Sequence, residues 1–347
     1  VITPELLRGL LLPLTALPGI AGHEDAVARA MAAHLAPLAA AVQVDALGNV
    51  TARFGPQTGA PRLAILAHMD TVGFLVKQVR PDGTLGLVAV GGVNARALPG
   101  AEVRVGNLPG VISVRSQHLA ESVEPAGDPE GLTIQVAPAL AAQIEVTTPV
   151  TYAPRAVELG GGLVGSPYLD NRAGCAVLLA LAGALAAEPP PCPVLLIGTV
   201  QEETTCSGAY HALRVAAPDA ALFVDGTLSY DTPETQGLGA VRLGGGPVLT
   251  SFLYTRGLNG WHAHPPLRAH LKAVAEAEGI AVQQDAVRGL LSDARVAAWL
   301  GLPSALIGLP MRAKHAPLET VHLGDLVAAA RLLAATVRRP LPDLSRG

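Results

Sequence analysis

Residues 193–209 read PVLLIGTVQEETTCSGA. The opening PVLLIGTV is an apolar run of strand length, and it reads as a buried strand inside a covered sheet. Two adjacent carboxylates, Glu202 and Glu203, follow it. Ionised groups are costly to desolvate, and neighbours along an extended chain point different ways. Solvated charge at a strand end is the plainest explanation of such a pair. Chemistry at the edge of a sheet is the other, and the rest of the chain weighs between them.

The same arrangement recurs. LAILA is followed by His68 and Asp70, AALFV by Asp225, and SALIGLP, after a short loop, by His315. Asp170 stands just before the apolar helical stretch 173–187. Strands are expected at 61–70, 194–200, 220–225 and 303–310. Helices are expected at 24–42, 173–187, 207–216, 266–278, 292–300 and 324–337. A hairpin at 43–54 turns at Leu47-Gly48-Asn49. Strands alternating with helices predict an α/β fold, a mostly parallel sheet with helices on both faces. From 72 to 163 the texture changes to short strands (FLVKQV, LGLVAV, AEVRVG, GVISVR, LTIQVA) separated by Gly, Pro and Asn. That stretch predicts a small β-rich, barrel-like domain inserted into a catalytic domain made of 1–71 and 164–347.

In open α/β sheets, sites form beyond the carboxyl ends of the strands, so the scattered acids and histidines are placed to converge. Five neighbouring carboxylates cannot all stay ionised without compensation, and nearby cations are few, chiefly Arg172, Arg312 and Lys314. Two divalent ions would balance most of that charge. Imidazole and carboxylate donors without thiolate suit zinc, cobalt or manganese. One glutamate of the pair can then ligate metal while the other handles a water proton.

Composition narrows the classes. The chain has 347 residues, 50% hydrophobic and 15% charged, with a formal net charge of −4. Disorder is not expected, and no basic patch points to nucleic acid. Aromatics are 3%, too few for a stacking platform or a typical sugar cleft. Cys175, Cys192 and Cys206 form no C-x-x-C pair, so neither a disulfide framework nor a thiolate zinc site is expected, and a reducing, cytoplasmic setting is the default. The apolar stretch 173–187 is short for a bilayer and is stopped by EPPP, so no membrane partner is expected. LLLPLTALPGIAG, with two prolines and with Glu5 and Arg8 before it, reads as a helix and turn rather than a signal peptide.

Taken together, LPGIAGHE (17–24), AHMDTVGFLV (67–76), GGVNARALPG (91–100), SPYLDNRAG (166–174), GTVQEE (198–203), ALFVDGT (221–227), SDA (292–294) and GLPSALIGLPMRAKHAPLET (301–320) resemble the M42 family of metallo-aminopeptidases, in the dinuclear metallopeptidase clan. The resemblance covers nearly the whole chain. It implies that His68 and Asp225 bind one metal, that Glu203 and His315 bind the other, and that Asp170 bridges them. It makes Glu202 the general base and places Asp70 behind His68 to orient its ring. It also implies short peptide substrates and a homo-oligomer, either a dimer or a tetrahedral dodecamer assembled through the inserted domain.

The chain departs from the family pattern at Thr204-Thr205-Cys206-Ser207, where Ser207 replaces a basic residue. It departs again at SDA, and in TIQVAPALAAQIEVTTPV, which lacks the usual acidic segment. Three other functions compete with aminopeptidase. They are glycoside hydrolysis by paired acids, deacylation of a small amide at the same site, and a non-catalytic metal-binding assembly. A glycosidase has no need of His68 and His315. His118, His262 and His264 read as loop positions, and the GGG runs at 160–162 and 244–246 lack the ending of a phosphate loop.

Overall fold

The fold was obtained as a computed structural model, which describes residues 1–56, 58, 63–114, 118, 131–255 and 259–345. The N-terminal helix α1 (Pro4–Thr15) starts where the Thr3 hydroxyl accepts the Leu6 amide, with Pro4 in its first turn. Its buried stripe is Leu7, Leu11 and Leu14, the spacing of one helix face. Helix α2 (Asp25–Leu35) is shorter than the expected 24–42. Pro37 follows its cap, and the chain turns into β1 (Ala41–Val44), which pairs antiparallel with β2 (Val50–Phe54). The Asp45 carboxylate closes that hairpin by accepting the amides of Leu47, Gly48 and Asn49.

β3 (Leu63–His68) is buried throughout. The chain then leaves the sheet to form β4 (Gly73–Val79), β5 (Leu85–Val90), β6 (Glu102–Val105), β7 (Leu108–Ile112), β8 (Thr133–Gln135), the short α3 (Pro138–Ala141) and β9 (Pro149–Tyr152). These strands close a barrel in the order β4-β5-β8-β7-β6-β9. Its interior is filled by alternate residues such as Phe74, Val76, Leu85, Leu87, Val103 and Val105, as the period of a strand requires. The segment without the acidic motif supplies β8, α3 and the start of β9. A three-stranded sheet joins β10 (Val157–Gly160), β11 (Leu163–Ser166) and the later β18.

The chain then re-enters the main layer through α4 (Leu169–Ala187), β12 (Val194–Thr199), α5 (Ser207–Ala216), β13 (Ala220–Leu228), β14 (Val248–Thr255), β15 (Asn259–His262), α6 (Pro265–Ala277), β16 (Gln283–Arg288), α7 (Ala294–Trp299), β17 (Ser304–Met311), β18 (Glu319–His322) and α8 (Leu323–Thr336). The nine-stranded sheet runs β1-β2-β12-β3-β13-β17-β14-β15, with β16 on β14. It is mixed, which corrects the expectation of a mostly parallel sheet. β12, β3, β13 and β17 are parallel neighbours, but β2 joins β12, and β14 joins β17, antiparallel. Short connections such as β1 to β2 and β14 to β15 can only make antiparallel pairs. Strands β14, β15, β16 and β18 were not foreseen, and His262, expected in a loop, ends β15.

Both faces are covered. Side chains of α1, α2, α4, α6 and α8 pack on one face against Ile65, Leu196, Leu222 and Ile307. Those of α5 and α7 pack on the other against Leu66, Ile197, Phe223 and Leu306. Each strand thus sends successive residues into opposite cores. Helix α4 has the length and apolarity to cross a membrane, yet it is mostly buried inside the protein.

Candidate metal centre

Because β3, β12, β13 and β17 are parallel, their carboxyl ends lie at one edge. His68 is the last residue of β3, Asp225 lies in β13, and Glu202 and Glu203 follow β12. His315 follows β17, with Ala313 and His315 both in the left-handed region (φ 56° and 67°). Asp170 arrives at the head of α4. Asp170 and Asn171 are not helical there. The Asn171 amide oxygen accepts the Gly174 amide, capping the regular helix, while its Nδ2 donates to the Val224 carbonyl of β13. A Cβ on residue 174 would stand 2.3 Å from that Asn171 oxygen, so glycine is required there.

All seven residues of the sequence reading meet. His68 Nε2 is 3.4 Å from Asp170 Oδ1, 3.4 Å from Asp225 Oδ1 and 3.7 Å from Glu202 Oε2. His315 Nε2 is 3.2 Å from Asp170 Oδ2 and 3.4 Å from Glu203 Oε1. His315 Nδ1 lies 2.6 Å from the Gly92 carbonyl, just past β5 of the barrel. Asp70 lies on the other side of the His68 ring, its Oδ1 3.4 Å from Nδ1. Its two oxygens accept the backbone amides of Glu202 (3.0 Å) and Glu203 (2.9 Å). One carboxylate therefore faces a histidine and ties down the glutamate turn.

Among the protein's own charges, the pKa values move apart. Burial, reinforced by Asp225 and Glu203, pushes Glu202 well above the usual carboxylate range. Burial lifts Glu203 to about 7. Burial opposes ionisation of Asp170, but Lys314 and the two histidines outweigh it and hold that carboxyl well below its ordinary value. Burial also works against protonated His68, yet Glu202 and Asp225 raise it well above its ordinary value. Strongly divergent values in one cluster are a common property of functional clefts.

The donor atoms fit a divalent metal. His68 Nε2, Asp170 Oδ1, Glu203 Oε1 and Asp225 Oδ1 are buried without hydrogen-bond partners. His68, Asp170 and Glu203 offer ligand atoms within 4.8 Å of one another. Buried polar atoms are normally paired, and imidazole with carboxylate is a donor set for zinc, cobalt or manganese.

Of the three cations weighed from sequence, Lys314 enters the cluster, with Nζ 2.8 Å from Asp170 Oδ2. Arg312 instead pairs with Asp231. Arg172 is fully buried, and Asp70 and Glu24 are among the acids whose charge acts on it. His262 packs its ring on Phe252, His264 heads α6, and His118 is exposed. The amides of Gly244 and Gly246 bind the Asp325 carboxylate, so that GGG run is a turn closed by the protein's own acid. Ser207 bonds to Gln201 at the start of α5.

Two acids went unread. Glu319 accepts the backbone amides of both Asp170 and His315, and burial raises its pKa to about 8. Asp293, within SDA, accepts the Thr199 hydroxyl at 2.6 Å. The signal for Glu319 was its place four residues after His315; what it binds, two main-chain amides, has no sequence signature.

Comparison with known proteins identifies the family. The profile of the M42 glutamyl aminopeptidase family matches residues 48–332. A putative aminopeptidase of Escherichia coli, SgcX, is 36% identical over 332 residues, covering 91% of this chain and 89% of its own. An aminopeptidase from the archaeon Desulfurococcus kamchatkensis superposes with a TM-score of 0.91 at 28% identity, over 98% of this chain and 97% of its own. The TET1 peptidase of Pyrococcus horikoshii, which assembles into a tetrahedron or a large octahedral shell, superposes with a TM-score of 0.83 at 26% identity, over 95% and 98%. With a family match over most of its length and a buried cluster of metal-ligand donors, the chain belongs to the M42 family of metallo-aminopeptidases and is a hydrolase.

Proposed function

We propose that the protein removes N-terminal residues from short peptides with two divalent metal ions per chain. Asp170 carries the reading: its two oxygens face two different histidines, Oδ1 toward His68 and Oδ2 toward His315. In this reading His68 and Asp225 hold one ion, Glu203 and His315 hold the other, and Asp170 is shared. When bound, the ions, zinc or cobalt in the first instance and manganese as a further candidate, polarise the scissile carbonyl and acidify water.

The chain supplies the proton traffic. Glu202 takes a proton from the attacking water and passes it to the amine as the C–N bond breaks. Asp70 holds the His68 ring by Nδ1 and keeps the Glu202–Glu203 turn in place. Glu202→Gln should lower turnover by about 10²–10⁴-fold while metal content, read by elemental analysis, stays near that of the parent. Normal turnover in that variant, across a panel of aminoacyl chromogenic substrates and short peptides, would remove Glu202 from the mechanism.

The assembly of the TET1 neighbour supports a homo-oligomer. We further propose that it is a dimer or dodecamer in which residues 72–163 carry contacts between copies, while 1–71 with 164–347 carry catalysis. Light scattering measures that mass directly. Free Cys175, Cys192 and Cys206 suit a cytoplasmic, reducing setting.

A further inference from the structure

The two halves of the acid cluster are not equivalent, and Lys314 is the reason. On the His68 side, His68 Nε2, Asp170 Oδ1 and Asp225 Oδ1 are all buried and unpartnered. On the His315 side, Glu203 Oε1 is unpartnered, but Asp170 Oδ2 already has a cation on it, Lys314 Nζ at 2.8 Å. The lysine is not a loose surface side chain. Its side chain is 8% exposed, and its ammonium also donates to the Gly226 carbonyl of β13 at 3.1 Å. The residues on either side of it, Ala313 and His315, hold positive φ, a conformation non-glycine residues adopt only when the surroundings dictate it. The backbone therefore presents Lys314 and His315 to the same carboxylate.

We propose that Lys314 is a built-in competitor for the second metal ion. Its ammonium holds the Asp170 oxygen that the His315-side ion would need. The protein then takes up one ion readily on the His68 side and a second only by displacing Lys314. The inference rests on the two-ion reading above. Like charges a few ångströms apart in a buried site repel strongly, so ammonium and second ion exclude one another from Asp170 Oδ2. A further consequence is that Lys314 neutralises part of the acid cluster when the second ion is absent.

The test is a calorimetric titration of chelator-stripped full-length protein with zinc. It is repeated with cobalt, whose visible absorption distinguishes the two environments. The parent should show one tight event and one weak event per chain. Lys314→Met, which is one atom shorter, stays unbranched and removes the charge, should tighten the second event by on the order of tenfold or more and leave the first nearly unchanged. Lys314→Gln, a polar neutral variant, should do the same, and its use guards against a packing defect of methionine. Circular dichroism confirms that each variant is folded. The thermal shift on adding zinc should be larger in both variants than in the parent. Two events of unchanged affinity in both variants would overturn the role of Lys314 while leaving the two-ion reading intact. A single event in parent and variants alike, with no second ion at high zinc, would overturn both.

Discussion

Asp70 shows how much one side chain can organise. It lies beside His68 Nδ1 and accepts the amides of Glu202 and Glu203, so a change there reaches both the proposed ligand His68 and the proposed base Glu202. Asp70→Asn keeps the shape but turns one acceptor into a donor that faces an N–H, a mismatch costing about 1–3 kcal/mol. The kcat/KM of the variant should fall about 10–100-fold and its zinc affinity should weaken in parallel. Wild-type values for both would leave Asp70 a bystander. At this scale the sequence was most informative where a polar residue ended an apolar run, as at His68, Asp225 and Glu202–Glu203. It gave only the spacing from His315 as a hint of Glu319, because the bond to the Asp170 amide spans 149 positions and a carboxylate that binds main-chain amides leaves no pattern.

The elements reveal a second kind of control. Helix α4 buries Cys175, whose thiol donates to the His68 carbonyl and is pushed up to about 11 by burial. Cys206, beside Glu202 and Asp293, is also raised by burial. Cys192, in the connection before β12, is half-buried. Thiolate is the reacting form, so iodoacetamide near neutral pH should label Cys192 first and reach Cys175 and Cys206 only after denaturation. Peptide mass spectrometry reads the order, and early labelling of Cys175 would contradict its packing.

A surface pair joins β17 to the loop after β13. Arg312 Nε and Nη2 each donate to Asp231 at 2.8 Å, and this hydrogen bonding holds the Asp231 carboxyl below its ordinary 3.8. A depressed acid stabilises the fold above its unfolded pKa, and the gain is lost as pH falls through the lower folded value. Asp231→Asn should therefore cost about 1 kcal/mol near pH 7, discounted for the partial exposure of Arg312. The difference in urea midpoints should narrow as pH drops below about 4. A gap that is constant with pH would assign the effect to packing. Elements with strong apolar texture, such as α4, α8 and β12, were legible in the sequence. β16 was not, because Val287 is the one buried residue in its QQDAVR and only its ladder with β14 makes it a strand. The mixed character of the sheet was hidden for a related reason: strand direction depends on connections, not on the composition of the strand.

For the whole molecule, the decisive fact is where the barrel is inserted. The chain leaves the main sheet just after His68 and returns just before Asp170, so two side chains 3.4 Å apart are separated by an entire closed barrel. His315, later still, fixes its Nδ1 on Gly92, between barrel strand β5 and β6. Contacts of such long sequence separation are slow to form, because loop closure has to precede them. No short fragment of this chain holds the cluster, so an ion cannot seed folding. It can only be captured by a protein that has already finished. Zinc added at the start of refolding should leave the folding rate unchanged, followed by tryptophan fluorescence. Zinc added at any time should slow unfolding, since a ligand of the native state alone stabilises that state. Metal loading in this architecture is a seal on completed chain assembly, and an ion-loaded molecule is one whose barrel and sheet have both been built.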